Sequence, residues 1–167
     1  KDKFVKKIHD SKVKIKSNYE FDIKIYESLF DNTEQIVLSK GNIDNGMPVM
    51  VRVHVTDYFD NLFGEYGSDD ASLNKSVEVI QEHGRGILVL IRDSGKSIIN
   101  RLITNSSSGD NKSENEKDEL RIYGMGAQIL SELGVKEMIL LTNTEWKFIG
   151  LEAYGIDIIE TKLLSEL

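Results

Sequence analysis

Val51–Asp70, VRVHVTDYFDNLFGEYGSDD, is the stretch whose reading decides the fold. Val49, Val51, Val53 and Val55 alternate with Met50, Arg52 and His54, a period of two with β-branched residues on one face, which predicts a strand. The same alternation puts Arg52 and His54 on the opposite face. Asp57, Asp60, Asn61 and Gly64 end the strand. Ser68-Asp69-Asp70, with Leu73, Val77 and Ile80 behind it, then opens an amphipathic helix that Gly84 closes. A strand, a polar loop and a helix start converge here, and Arg121 in LRIYGMGAQIL is the arginine expected to face them.

Upstream, Phe21, Ile23 and Ile25 alternate as a strand and Glu34 to Leu38 gives another. Lys40-Gly41-Asn42 and Asp44-Asn45-Gly46 turn the chain into the Val49 strand, so an antiparallel meander is expected. Residues 1–16 are lysine-rich and read by composition as a basic, solvated arm. Downstream, Ile87 to Ile91 is a continuous apolar run, the pattern of a strand covered on both faces. The DSGKS that follows is not a phosphate-binding P-loop, because Leu90 stands where that motif needs its first glycine. A short helix is expected through Ile98, Ile99 and Leu102, and the polar run 106–118, SSSGDNKSENEKD, reads as a mobile loop.

Leu120 to Leu133 is expected to be helical, with Met125, Ile129, Leu130 and Leu133 buried and Gly134 as its stop. Gly124 and Gly126 each cost roughly 1 kcal/mol of helix propensity against alanine, so something should pack closely there. The last third is an α/β unit: a strand Met138 to Leu141, Thr142-Asn143-Thr144, a helix carrying Trp146, Ile149 and Leu151, then Gly155 and a strand Ile156 to Ile159. Thr142 and Asn143 lie past the strand's carboxyl end. The next helix begins there with free N–H groups and Lys147 in its first turn, an arrangement suited to an anion.

The 167 residues fit one domain, 1–167, of ordinary globular composition. With 21 Lys plus Arg against 28 Asp plus Glu, the net charge of -7 argues against general nucleic-acid binding. It says little about a nucleotide, which is bound locally. The chain has no cysteine, which excludes disulfides and thiolate metal sites. No apolar run approaches ~20 residues and no signal segment opens the chain, so a cytoplasmic protein without a membrane partner is expected.

VRVH, the FG that follows, HGRGILVLIR, LRIYGMGAQILSELGV and LLTN together resemble GTP cyclohydrolase II of riboflavin biosynthesis over nearly the whole chain. The resemblance implies an α/β fold: a cyclohydrolase II-like mixed sheet with flanking helices after the N-terminal antiparallel meander. It also implies a homodimer and GTP or a related nucleotide as ligand. In that family three cysteines spaced C-x10-C-x-C hold a zinc that activates the water attacking the guanine ring. The matching positions here are Asp57, Ser68 and Asp70. By the same match Arg121 falls on the family's arginine nucleophile, with Glu119 in place of its acid two residues earlier. Arg52, Thr142 and Lys147 fall on nucleotide-contacting positions. Asn105 replaces a tyrosine, and Leu73 a guanine-side glutamine. Asp93 to Lys96 lies near the family's Glu-Gly-Arg turn, one residue out of register. The N-terminal run KFVKKIHDSKVKIK resembles the join in fusions where a 3,4-dihydroxy-2-butanone 4-phosphate synthase precedes the cyclohydrolase.

Two carboxylates and a hydroxyl are hard ligands, suited to Mg2+ rather than zinc. No cofactor is therefore expected: the reading is a degenerate cyclohydrolase-like domain, without its zinc, serving as a structural, dimerising or nucleotide-binding partner of the synthase. The alternative is an active hydrolase or phosphohydrolase with a non-thiolate metal site, Mg2+ held by His54, Asp57, Asp69 and Asp70. A third possibility is an interaction module with no ligand.

Overall fold

The computed structural model describes residues 3–56, 68–92, 112–143 and 150–167. Its centre is the valine-rich strand β4 (Val49–Thr56), which pairs in parallel with β5 (Gly86–Arg92) on one side and β6 (Glu137–Thr142) on the other. Among the described residues seven strands form one mixed sheet in the order β1-β2-β3-β5-β4-β6-β7. The strands β1 (Val5–Ile15), β2 (Tyr19–Ser28) and β3 (Glu34–Lys40) run antiparallel as a meander, and β3 joins β5 antiparallel. The far edge is β7 (Asp157–Leu163), parallel to β6. The α/β class and the mixed sheet are as the resemblance implies, and the meander is as the alternation predicts.

Among the described residues one helix covers each face. Helix α1 (Ser68–His83) joins β4 to β5 and lays Leu73, Val77 and Ile80 on Met50, Leu88 and Leu141. Helix α2 (Lys112–Glu132) lays Met125, Ile129, Leu130 and the adjoining Leu133 on Val49, Val51, Val53, Val89 and Leu140. Ile129 and Leu130 are wholly buried, and each such side chain contributes about 1.5–3 kcal/mol of apolar transfer. Gly134 ends the helix as expected. Its φ of 86° is the left-handed conformation of a helix stop, and the Val135 N–H returns to the Leu130 carbonyl at 3.1 Å.

Two expectations are corrected. Residues 5–15 are not a solvated arm but the edge strand β1, with residues 6–12 exposed. Lysines along an edge are what keep such a strand from pairing with other chains, so composition alone mimicked an arm. The strand is tied down at both ends. The Phe4 N–H donates to Gln128 Oε1 at 2.7 Å, and at the hairpin turn Lys16 Nζ and Tyr19 Oη reach Glu78 of α1 at 2.9 and 2.7 Å. These contacts hold the Glu78 carboxyl below its ordinary range, the Lys16 bond first and the Tyr19 bond second. The second correction concerns the loop expected over 106–118. Residues 112–118 are the first two turns of α2, while 106–111 lie outside the described residues. Lysine and glutamate are good helix formers, so a run without apolar anchors can still extend a helix that is anchored further along. The close packing expected at Gly124 is present: a Cβ there would sit 3.0 Å from the Phe4 ring.

At the opposite end of the sheet from the strands' carboxyl ends, Arg85 stands between α1 and β5. Its guanidinium donates to the carbonyls of Asn42 (2.6 Å), Met47 (3.1 Å) and Pro48 and to Asn45 Oδ1 (2.9 Å), gathering the β3–β4 loop around one side chain.

Tyr26, 2% exposed, lies in the α2-side core, and burial pushes its phenol from 10.0 up to about 12, with smaller contributions from Glu132 and Asp10. The folded state therefore favours the neutral phenol. Its contribution is intact below pH 10 and is lost as pH rises from there towards 12. The melting temperature of the native protein should fall over this interval more steeply than that of Tyr26→Phe, and parallel profiles would remove Tyr26 as the cause.

Candidate functional site

The carboxyl ends of β4, β5 and β6 lie side by side, because the parallel register sets Arg52 beside both Leu88 and Leu141, and Thr56 beside Arg92. In an open α/β sheet this edge is where ligands bind. The alternation along β4 sends Val51 and Val53 to the α2 face and Arg52 and His54 to the α1 face, where they are 8% and 4% exposed. Buried polar side chains must be satisfied by hydrogen bonds. Arg52 Nη2 donates to Ser72 Oγ at 3.2 Å, and Ser72 Oγ donates to Asn143 Oδ1 at 2.8 Å. Three elements, β4, α1 and the residue just past β6, are thus joined at one point. Ser76, wholly buried one turn further along α1, returns its hydroxyl to the Ser72 carbonyl at 2.9 Å.

The end of β5 is closed by another buried polar side chain. Gln35, with no exposure, accepts the Arg92 N–H at 2.5 Å and donates to Thr33 Oγ1 at 2.8 Å. Thr142, 3% exposed, is the last residue of β6 and falls on the α2 side by its parity with Met138 and Leu140, so it and Asn143 belong to opposite faces.

Arg121, expected opposite Val51–Asp70, is exposed on α2 and its guanidinium lies 4.9 Å over the ring of Phe30 in the β2–β3 turn. That distance suits a cation–π contact. Phe30 in turn rests against Phe4, ring centroids 5.2 Å apart. The described hydrogen bonds therefore join Arg52 to Asn143, whereas the described contact of Arg121 is with the meander. Glu119 lies within α2 and Asp69 and Asp70 in the first turn of α1, but their side chains are outside the described residues. Asp57, Asp93 to Lys96, the helix through Ile98, Ile99 and Leu102, Asn105, Trp146 and Lys147 also lie outside them. Leu151, assigned by pattern to a helix, begins a short 3-10 helix (Leu151–Tyr154).

Sequence reading overlooked Ser72 and Phe30. Ser72, Ser76 and Ile80 are spaced by four, so the two serines continue the buried helix row, and that spacing could have revealed them. Leu29-Phe30, an apolar pair entering a turn, was the signal for the second.

Comparison with known proteins agrees with this architecture. The family model described as GTP cyclohydrolase II matches residues 6–162. The riboflavin biosynthesis protein RibBA of Chlorobium phaeovibrioides is 38% identical over 154 residues, covering 84% of this chain and 37% of the relative. Its namesake in Bacillus cereus (strain B4264) is 37% identical over 145 residues, 81% of this chain and 36% of the relative. The Synechocystis protein of that name is 36% identical over 153 residues, 84% of this chain and 28% of the relative. The chain thus spans little more than a third, or less, of these relatives. Among solved structures, RibBX, a two-domain 3,4-dihydroxy-2-butanone 4-phosphate synthase from A. baumannii, superposes with a TM-score of 0.57. It covers 97% of this chain and 40% of its own at 19% identity, a likeness of fold alone. No helix among the described residues is long and apolar enough to cross a membrane. With nearly the whole sheet and both helices inside the matched region, the chain belongs to the GTP cyclohydrolase II family.

Proposed function

We propose that this chain is a cyclohydrolase II-like domain of a cytoplasmic riboflavin biosynthesis protein that does not open the guanine ring of GTP. In this reading it binds the phosphate part of a nucleotide and serves as a structural, dimerising partner of a 3,4-dihydroxy-2-butanone 4-phosphate synthase. The observation that carries this is the absence of cysteine from all 167 residues. The three positions that match the family's thiolates hold Asp57, Ser68 and Asp70. Two carboxylates and a hydroxyl are a hard donor set and do not fit zinc in the way that three thiolates do. Without such a metal the ring-opening reaction lacks its activated water, a loss of many orders of magnitude in rate.

What the residues present can do is bind an anion. Arg52, held by Ser72 at the carboxyl edge of the sheet, supports contact with a phosphate. Thr142, Lys147 and Arg121 have the chemistry for the same task, with Glu119 beside Arg121 as the residue of the ancestral acid. The link to a synthase is supported by the names of the relatives and by the two-domain enzyme that shares the fold.

Purified protein given GTP, with and without zinc or Mg2+, is expected to release no formate above the uncatalysed level, while GTP raises its melting temperature. Turnover near the ~10 s⁻¹ typical of enzymes would overturn the loss of chemistry. Turnover only with Mg2+, abolished in Asp57→Ala, would establish the hard-metal hydrolase instead. A melting temperature indifferent to GTP would leave an interaction module without a ligand.

A further inference from the structure

We infer that the free side of β7 is the surface on which two copies of this chain pair, strand against strand, across a two-fold axis. The inference rests on the dimerising role proposed above and adds to it the surface and the register.

The two edges of the sheet differ. β1 is guarded: Lys6, Lys7, Lys12 and Lys14 lie along it and its register breaks between Lys7 and His9. Both features keep an edge from pairing with another chain. β7 pairs with β6 on one side, and among the described residues no strand takes its other side. It carries a single lysine, and Ile159, Glu160 and Thr161 are exposed, Ile159 at 49%. Such an edge offers its unpaired backbone N–H and C=O groups to a further strand.

Charge selects the mate and the register. Met138 pairs with Ile158 and Ile139 with Glu160, so Ile159 is an extra residue and the regular run is 160–163. Facing residues of an antiparallel pair share a face, so a two-fold normal to the sheet passes through a residue. Through Glu160 or Lys162 it would set a charge against its own copy. Through Thr161 it sets Glu160 against the partner's Lys162 and Lys162 against the partner's Glu160. Both pairs fall on the α1 face, level with Ile139 and Leu141. Thr161 then meets its own copy, and Ile159 the partner's Leu163. Opposite charges and threonine pairs directly across two strands favour their pairing. Because the same edge serves both copies, assembly closes at two.

The test is sedimentation equilibrium of the native chain, Glu160→Lys, Lys162→Glu and the double variant Glu160→Lys/Lys162→Glu, with melting temperatures as the check on folding. By symmetry each single substitution turns two attractive pairs into two repulsive ones, so the dimer dissociation constant is expected to rise on the order of thirtyfold. The double variant restores both pairs with the charges exchanged and should return to within about threefold of native. A native dimer that both single variants leave intact would place the interface elsewhere, overturning the inference while the dimerising role stands. So would loss in both single variants without recovery in a double variant that melts like native. Native assembly that continues beyond two copies would overturn the closed pairing. A native chain still monomeric at about 1 mM would end the dimerising role itself, and this inference with it.

Discussion

A triple variant, Asp57→Cys with Ser68→Cys and Asp70→Cys, is expected to retain about one zinc per chain through gel filtration, where the native protein retains essentially none. The three substitutions restore the spacing C-x10-C-x-C of the family the chain belongs to, and they change the donor chemistry from hard to soft. Zinc gains little from exchanging its water for an isolated hydroxyl and two carboxylates. Three thiolates bind far more tightly, and structural zinc sites release on the order of 10–16 kcal/mol at neutral pH. Because each thiol must lose its proton, uptake should weaken steeply as pH falls. Metal content by mass spectrometry and competition with a chelating dye measure the effect. A folded triple variant that takes up no zinc would sink the match of these three positions to the family's ligands. Zinc retained by the native protein would sink the proposal that the site is lost. On the reading proposed above, formate release should not return with the metal, because the resemblance implies that Leu73 and Asn105 replace a guanine-side glutamine and a tyrosine.

The second large effect is on stability. Arg85→Ala is expected to lower unfolding free energy by about 2–4 kcal/mol, since hydrogen bonds to a charged group contribute about 1.5–3 kcal/mol each and several here share partial exposure. For a chain of this size that lowers the melting temperature by roughly 5–15 °C. The cause is geometric. One planar group satisfies three carbonyls and the Asn45 side chain at once, and no other side chain has that fork. Arg85→Lys should therefore recover only a minor part of the loss. The clamp stands at the end of the sheet remote from Arg52 and Asn143, so GTP affinity should be unchanged in both variants. A melting temperature within about 2 °C of native in Arg85→Ala would mean that water replaces the guanidinium without cost.

The legible parts of the chain were those where a period coincides with burial. The valines of β4, the apolar run of β5 and the α2 stripe were readable because each keeps one face in the core. Gly124 was readable for the converse reason, an unfavourable residue for a helix explained by the Phe4 ring against it. Composition failed where charge and structure part company. The lysines of β1 resemble an unstructured arm because an edge strand is solvated too, and the start of α2 resembles a loop because its helical tendency is intrinsic rather than amphipathic. At the candidate site the placement of Arg52 on the α1 face could be read from alternation. Its link through Ser72 to Asn143 could not, since residues 71 positions apart along the chain meet only once β4 and β6 are neighbours. The Arg121–Phe30 contact was hidden in the same way, by a turn whose partner is a distant helix.

The strand order has a bearing on how the protein emerges from the ribosome. β1, β2 and β3 can close as local hairpins as soon as they are made, but the neighbour that β3 requires is β5, and β4 and α1 are synthesised in between. Until Gly86–Arg92 arrives, the nascent sheet ends in the apolar strand Glu34–Lys40, with unfilled backbone donors and acceptors along one side. Slow translation between these two strands prolongs that exposure, and this interval is where a chaperone has most to protect.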